Sequence, residues 1–377
     1  MEQPFLEWTQ HDCEKLVAAM EQHLGRPLDG RIRKAFCSVP RHPFVPQYYE
    51  QQGTMLKWNL ILEPSLDAIY QDEPLVTKID GQGRPMCSSS LPSIMAQQLE
   101  SLQLSGCCRV LEIGTGTGYN AAVMGHLLQS CGQVLSIDID RDLVHEARSH
   151  LKAVGIENVL ALHGDGFTGL PNEGPYDRLL ATCGIPRIPR SWFAQLAQGG
   201  KLIANVLLPL ASIFVCLEKI EETTVSGNLL PIEAIYMEMR SAAGMSPFQR
   251  PDWPRIDALP HRTVSLNVNL LDLLQQSTYC LLLQSLCPAL EDRFRWIREQ
   301  NTTVRYLFDP TTYDMAIALH PDHLIIYGTD PQIETQIRQS LDHYYRLGCP
   351  TIADCKLRVD ETGAFLFVGE EVFPLSI

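Results

Sequence analysis

The sequence predicts a doubly wound α/β fold, Rossmann-like in its parallel sheet, followed by a second, smaller α+β domain. Three observations predict it. From residue 93 to residue 206, short apolar runs that read as buried strands alternate with segments of helical period, the pattern of a largely parallel sheet with helices on its faces. Within that stretch, Arg109-Val-Leu-Glu-Ile113 passes directly into the turn Gly114-Thr-Gly-Thr-Gly118 and then into a helical segment. Prolines at 247, 251, 254 and 260 then mark a linker over residues 246–260, dividing a first domain, 1–245, from a second, 261–377.

Taken in order, residues 11–25 have helical spacing and a glycine stop, and Arg31–Phe36 forms a second short helix. Val39-Pro-Arg-His-Pro-Phe-Val-Pro46 is a proline-locked segment. Strands are expected near 109–113, 134–137, 159–162, 177–181 and 201–206, and helices near 93–103, 118–129, 141–153 and 189–197. A strand pair near 212–219 and 232–239 completes the sheet. In the second domain, 266–286 is helical in period, 293–309 is mixed and 323–328 reads as a strand. Residues 332–347 read as a helix and 356–373 as a hairpin around Glu361-Thr-Gly363.

Composition excludes several classes. A chain of 377 residues, 45% hydrophobic and 20% charged, is an ordinary globular protein. Its formal charge of −14 argues against a nucleic-acid partner, since phosphate binding requires a basic surface. Residues 1–7 lack the basic and apolar regions of a signal peptide, and no apolar run approaches the ~18 residues of a membrane span. A cytoplasmic protein is therefore expected. The twelve cysteines contain no C-x-x-C pair, and the histidines contain no H-x-x-x-H pair. Small buried hydrophobes in a reducing compartment, with no metal, are the expectation.

The glycine turn carries the chemistry. Glycine has no Cβ and tolerates positive φ, so backbone amides there can approach a ligand, aided by the helix N-terminus behind them. A dinucleotide fingerprint requires a third glycine at residue 119, which is Tyr119. The pattern present is acidic-x-G-x-G-x-G with Glu112 at the strand end, and it resembles motif I of class I S-adenosylmethionine methyltransferases. A carboxylate beside the turn suits a cofactor with an amino-acid head and would repel a pyrophosphate. The alternative is a turn that only packs helix on strand. Asp138 ends the next strand-like run, where it can accept ribose hydroxyls or serve as an ordinary helix cap. Asp165, in Gly164-Asp-Gly166, suits an adenine-edge contact or a plain turn.

Upstream, Pro85-Met-Cys-Ser-Ser-Ser-Leu-Pro-Ser-Ile-Met-Ala96 places Ser88, Ser89 and Ser90 just before a helix. Such serines either cap the helix or cradle an anion facing the cofactor. With this segment the chain resembles the protein-L-isoaspartate O-methyltransferase family. The motifs that carry the resemblance are Arg41-His-Pro-Phe-Val-Pro46, Ser88-Ser-Ser-Leu-Pro92, the glycine turn with Tyr119, Gly164-Asp-Gly166, Pro175-Tyr-Asp177, Ile188-Pro189 and the stretch from Gln195 to Leu202, all in family order over roughly residues 35–220. The resemblance implies Ser90 as the active-site serine that orients a substrate carboxylate, with Ser88 and Ser89 beside it. It also implies S-adenosylmethionine as cofactor and S-adenosylhomocysteine as product, held by Glu112, Gly114, Thr115, Gly116, Gly118, Tyr119, Asn120, Asp138, Ile139, Asp165, Gly166 and Thr182.

Departures from the family shape the functional expectation. The chain runs more than a hundred residues past the methyltransferase core, Ser88-Ser89 stand in place of Thr-Ile, and Ser93 follows Pro92. These features resemble the longer members associated with ribosomal peptides (lanthipeptides, lasso peptides, graspetides), which methylate an aspartate and so install aspartimide or isoaspartate. The principal expectation is a carboxyl O-methyltransferase of such a dedicated peptide, with 261–377 as the substrate-recognition domain. The alternatives are general repair of isoaspartyl residues in proteins and a binding module without catalysis. The acidic charge fits either a basic partner segment or a solvated surface.

Overall fold

The computed structural model describes residues 10–53, 57–240, 251–297 and 301–376. Residues 1–7 and the 246–250 part of the expected linker lie outside the described residues. Two compact units are formed. The first comprises 1–205, 216–223 and 234–245; the second comprises 206–215, 224–233 and 246–377.

In the first unit, helices α1 (Gln10–Leu24) and α2 (Gly30–Ser38) precede a hairpin of β1 (Gln47–Gln51) and β2 (Trp58–Leu62). Asp29 caps α2 by accepting from the Arg31 and Ile32 amides. A short helix, α3 (Leu66–Ile69), leads to β3 (Leu75–Ile79) and β4 (Pro85–Ser89), which join the hairpin as a four-stranded sheet in the order β2-β1-β3-β4. This sheet is absent from the sequence reading. The alternating pattern is weak there because one face stays largely solvated, so Leu62 remains 65% exposed.

Then follow α4 (Pro92–Leu102), β5 (Arg109–Ile113), α5 (Tyr119–Leu128), β6 (Gln133–Asp138), α6 (Arg141–Ala153), β7 (Val159–His163), β8 (Tyr176–Ile185), α7 (Arg190–Gln195), β9 (Leu196–Leu207) and β10 (Ser212–Glu221). The main sheet runs β7-β6-β5-β8-β9-β10, and β5 pairs in parallel with both β6 and β8. The chain therefore reverses its direction of travel across the sheet between β5 and β8, the switch point at which open α/β sheets leave a crevice beyond the strand ends. β5 to β8 read as near-continuous apolar runs because helices cover both faces: Val110, Leu111, Val134, Ile137, Leu179 and Leu180 are all buried.

The expected strand at 232–239 is not formed. Its place after β10 is taken by β11 (Thr224–Leu230), while the 234–240 segment runs extended beside the end of β8. There it makes an isolated parallel bridge, with the Gly184 amide donating to Met237 O at 2.8 Å and the Met239 amide to Gly184 O at 2.7 Å.

In the second unit, α8 (Trp253–Asp257) lies inside the expected linker. It is followed by β12 (His261–Ser265), α9 (Leu270–Leu273), α10 (Ser277–Leu286), β13 (Glu291–Ile297), β14 (Thr302–Phe308), β15 (Ala316–Leu319), β16 (His323–Tyr327), α11 (Gln332–Arg346), β17 (Cys355–Asp360), β18 (Gly363–Val368) and β19 (Glu371–Leu375). The helical stretch expected at 266–286 is thus two helices, and the mixed segment is the antiparallel pair β13–β14. Five strands order as β12-β16-β15-β14-β13, and β11 pairs antiparallel with β17, which continues through β18 to β19. Helices α10 and α11 meet at a buried contact between the Tyr279 hydroxyl and Ser340 Oγ at 3.0 Å.

The cysteine expectation needs correction. Cys13 of α1 and Cys37 of α2 form a disulfide, as do Cys107 and Cys131, each pair 24 residues apart in sequence. Packing of the two N-terminal helices brings the Cα atoms of Cys13 and Cys37 to 5.0 Å, a relation that no local spacing reveals.

Candidate active site

A cavity of about 280 Å³ opens at the carboxyl ends of β5, β6 and β8, wholly within the first unit. Its wall takes Ser88 and Ser90 from the end of β4, the turn at 114–117, Tyr119 and Asn120 of α5, Asp138 and Ile139 after β6, Gly166, Thr182 and Cys183, and the 234–240 segment.

The turn works chiefly by what it lacks. Gly114, Gly116 and Gly118 all have positive φ, and a Cβ on Gly114 would stand 2.7 Å from Thr182 Oγ1. Gly118, which is not on the wall, lets α5 approach α6, since its Cβ would meet that of Ala147 at 3.1 Å. The amides themselves are largely occupied. Gly114 and Thr115 donate to Ile137 O at 2.8 and 3.1 Å, and Gly116 donates to Asp138 Oδ2 at 3.0 Å. The glycines therefore supply room more than free donors.

Asp138 is not the helix cap. Asp140 caps α6, accepting from the Asp142 and Leu143 amides. Asp138 spans from the glycine turn to its own loop, with Oδ1 accepting the Asp140 amide at 3.0 Å and the Arg240 guanidinium 3.9 Å away.

Ser88–Ser90 are not helix caps either. The N-cap of α4 is Leu91, which makes no side-chain cap bond; Pro92 occupies the first turn, and Asp72 Oδ1 takes the Ser93 amide at 2.8 Å. Ser88 and Ser90 are left facing the cavity, whereas Ser89 turns inward, 2% exposed, with its hydroxyl accepting from Arg41 Nε at 3.2 Å.

Four expected contacts are not on the wall: Ser89, Glu112, Gly118 and Asp165. Glu112 is fully buried below the turn, accepting from Asn120 Nδ2 at 2.7 Å and from Ser136 Oγ, whose own oxygen pairs with Thr115 Oγ1. Burial pushes its carboxyl up to about 7, against the pull of those two donors. Asp165 accepts the Phe167 amide at 2.9 Å and so shapes its turn. Thr182 lines the wall while its hydroxyl donates to Gly114 O at 2.7 Å.

Two lining side chains carry buried polar atoms with no hydrogen-bond partner among the described residues, Asn120 Oδ1 and Tyr119 OH. Such orphans are costly unless a ligand satisfies them. Together with the glycine clearances they fit a cofactor that has an amino-acid head and a nucleoside. Two thiols also line the wall, but burial pushes Cys87 up to about 12 and Cys183 higher still, so both stay neutral and neither is a ready nucleophile.

The protein-family model described as protein-L-isoaspartate(D-aspartate) O-methyltransferase matches residues 12–237. The chain belongs to this family. Its members are class I S-adenosylmethionine methyltransferases. A protein-L-isoaspartate O-methyltransferase of Thermotoga maritima is 38% identical over 180 residues, covering 48% of this chain and 51% of that one. The chain therefore spans about half the length of that relative. One from Methanosarcina mazei is 35% identical over 196 residues, covering 52% and 72%. A solved structure of a protein-L-isoaspartate O-methyltransferase is 26% identical, with a TM-score of 0.57, and covers 95% of this chain and 99% of that chain.

That last match corrects one expectation. Because a protein with the general family name aligns over nearly the whole chain, the C-terminal extension does not by itself mark the ribosomal-peptide type within the isoaspartate methyltransferase family. Sequence reasoning also missed three parts of the site. Arg41 was visible only as a letter of a motif, Asp72 acts on a helix 21 residues away, and the 234–240 wall carries no local signature. No helix of the described residues is long and apolar enough to cross a membrane.

Proposed function

We propose that the protein is an S-adenosylmethionine-dependent carboxyl O-methyltransferase that esterifies the free α-carboxylate presented at an L-isoaspartyl linkage in a polypeptide. The observation that carries this reading is the pair Ser88 and Ser90. Relieved of capping by Asp72, they face the same cavity as the glycine cradle.

S-adenosylmethionine, when bound, supplies an electrophilic methyl group on a sulfonium. The chain's own residues have a modest task. A carboxylate with a reference pKa near 4 is already ionised at neutral pH, so no general base is required. Gly114, Thr115, Gly116, Asn120, Asp138 and Ile139 would hold the cofactor, with Glu112 orienting Asn120 from below. Ser90 would hold one carboxylate oxygen, and the apolar wall of Leu91, Ile94 and Met95 would exclude water around the other. Catalysis is then mainly positioning. The methyl ester carbonyl is more electrophilic than a carboxylate, so the following backbone nitrogen can attack it, breaking the bond to the methoxy group and releasing methanol with the amide proton, to close a succinimide without further help.

The test is mass spectrometry of the protein incubated with S-adenosylmethionine and either an isoaspartyl peptide or its aspartyl counterpart. A gain of one methyl group on the isoaspartyl peptide alone is expected. Methylation confined to the aspartyl peptide would overturn the repair-type reading in favour of a dedicated aspartyl substrate, and methylation of neither would leave a binding module.

A further inference from the structure

Arg41 is a charged side chain fully removed from solvent, 0% exposed. Burying an ion is costly unless hydrogen bonds replace its water, so its partners reveal its role. Among the described residues no carboxylate bonds it. Instead Nη1 donates to Ile69 O at 3.0 Å and Gln71 O at 2.9 Å, and Nη2 to Glu73 O at 2.9 Å, Ser89 O at 3.3 Å and Ser90 O at 3.2 Å. Nε donates to Ser89 Oγ at 3.2 Å. One guanidinium thus ties the loop before β3 to the serine segment at the cavity.

The geometry of the peptide unit adds a consequence. In a planar trans peptide the N–H points opposite to the C=O. With Ser89 O and Ser90 O both drawn onto Arg41 Nη2, the N–H groups of Ser90 and Leu91 face away from it, and Ser90 and Leu91 are cavity-lining residues. Neither of these two amides bonds another group among the described residues. Paired backbone donors beside a hydroxyl form an anion-binding constellation.

We propose that Arg41 is a positioning residue: by gripping the Ser89 and Ser90 carbonyls it aims the Ser90 and Leu91 N–H groups, with the Ser90 hydroxyl, at the substrate carboxylate. This rests on the carboxyl-methyl-transfer reading above. The guanidinium also places a positive charge, uncompensated by a bonded carboxylate, behind the donors. Burial pulls Arg41 down to about 10, which still leaves it charged at neutral pH. An approaching carboxylate is attracted, and each donor peptide is polarised in the required sense. The nearby charged or titratable groups are Tyr70, whose hydroxyl takes the Arg41 amide at 2.9 Å, Asp72, and Tyr119, whose ring lies 6.0 Å from the guanidinium carbon.

The test compares wild type with Arg41→Lys, Arg41→Gln and Ser89→Ala, measuring kcat and KM on an isoaspartyl peptide, S-adenosylhomocysteine affinity by calorimetry, and Tm. Lysine keeps the charge but cannot reach six oxygens, so its kcat/KM should fall about 10- to 100-fold, chiefly through KM, with cofactor-product affinity within about twofold of wild type. Gln should fall further, and Ser89→Ala, which removes a single acceptor, roughly 3- to 10-fold. Unchanged kcat/KM in the Lys variant would overturn the proposal. So would a parallel loss of cofactor-product affinity and Tm, the signature of a residue that only fills the core. If the Gln variant fails to fold, the Lys and Ser89→Ala variants decide. Should wild type methylate only aspartyl peptides, the isoaspartyl reading falls, while the same variants on that substrate still decide the role of Arg41.

Discussion

Asp72 accepts the backbone amide of Ser93 at 2.8 Å, and so a residue remote in sequence does the capping that Ser88–Ser90 could have done. The hydroxyls of Ser88 and Ser90, which face the cavity, are therefore free of capping duty. Ser90→Ala should lower kcat/KM by about 10²- to 10³-fold, the scale of losing a donor to a reacting oxygen. S-adenosylhomocysteine affinity and Tm should stay near wild type, which calorimetry and a thermal melt will check. Asp72→Ala should instead cost roughly 1 kcal/mol of stability through the exposed N-terminus of α4.

Asp138→Ala should show the opposite priority. It lines the cavity while bracing the Gly116 amide, so its loss removes a cofactor contact and loosens the turn together. Cofactor Kd should rise about 10- to 100-fold, while kcat at saturating cofactor changes far less. A fall in kcat with unchanged Kd would contradict this.

Glu112 should leave a mark on the pH dependence of stability. Its carboxyl rises from 4.5 to about 7 in the folded chain because burial disfavours the charge. Between those values the folded state holds more protons than the unfolded state, so the slope of unfolding free energy with pH is negative. The stabilisation is complete below about 4.5, is lost as pH climbs to about 7, and changes no further above it. Thermal melts from pH 4 to pH 8, taken as the difference between wild type and Glu112→Gln, should show that decline confined to this window.

Gly118→Ala should destabilise the protein without touching the cavity wall. The position has φ +87°, and the added Cβ would sit 3.1 Å from that of Ala147. A loss of roughly 1–3 kcal/mol in denaturant unfolding is expected, from strain and overpacking combined.

The parallel core was legible because it is buried on both faces. β5, β6 and α6 appear as uninterrupted apolar or amphipathic runs, and their boundaries lie within a residue of those read from periodicity. The small sheet of β1 to β4 was not legible, since Trp58-Asn-Leu-Ile-Leu62 is half-solvated and lacks clean alternation. At the cavity, motif spacing named Gly114, Gly116, Asp138 and Ser90, which the structure brings to one wall because backbone geometry close by in sequence sets their positions. It also named Glu112 and Asp165, which lie off the cavity wall, because a strand-end carboxylate looks the same whether it faces a cavity or a neighbouring amide. Asp72 and Arg240 escaped it altogether, and Arg41 stood in a motif without a role, because their partners lie tens of residues or more away.

The 234–240 wall carries a consequence for biosynthesis. During translation the serine segment and the glycine cradle leave the ribosome well over a hundred residues before Tyr236 and Arg240 do, and the intervening chain includes 206–215 and 224–233, which belong to the second unit. Closing the cavity is thus a long-range event, of the kind that slows folding because loop entropy is lost before contacts repay it. A nascent chain arrested before residue 234 would present an unfinished half-cup, and cofactor capture would report that synthesis had passed that point.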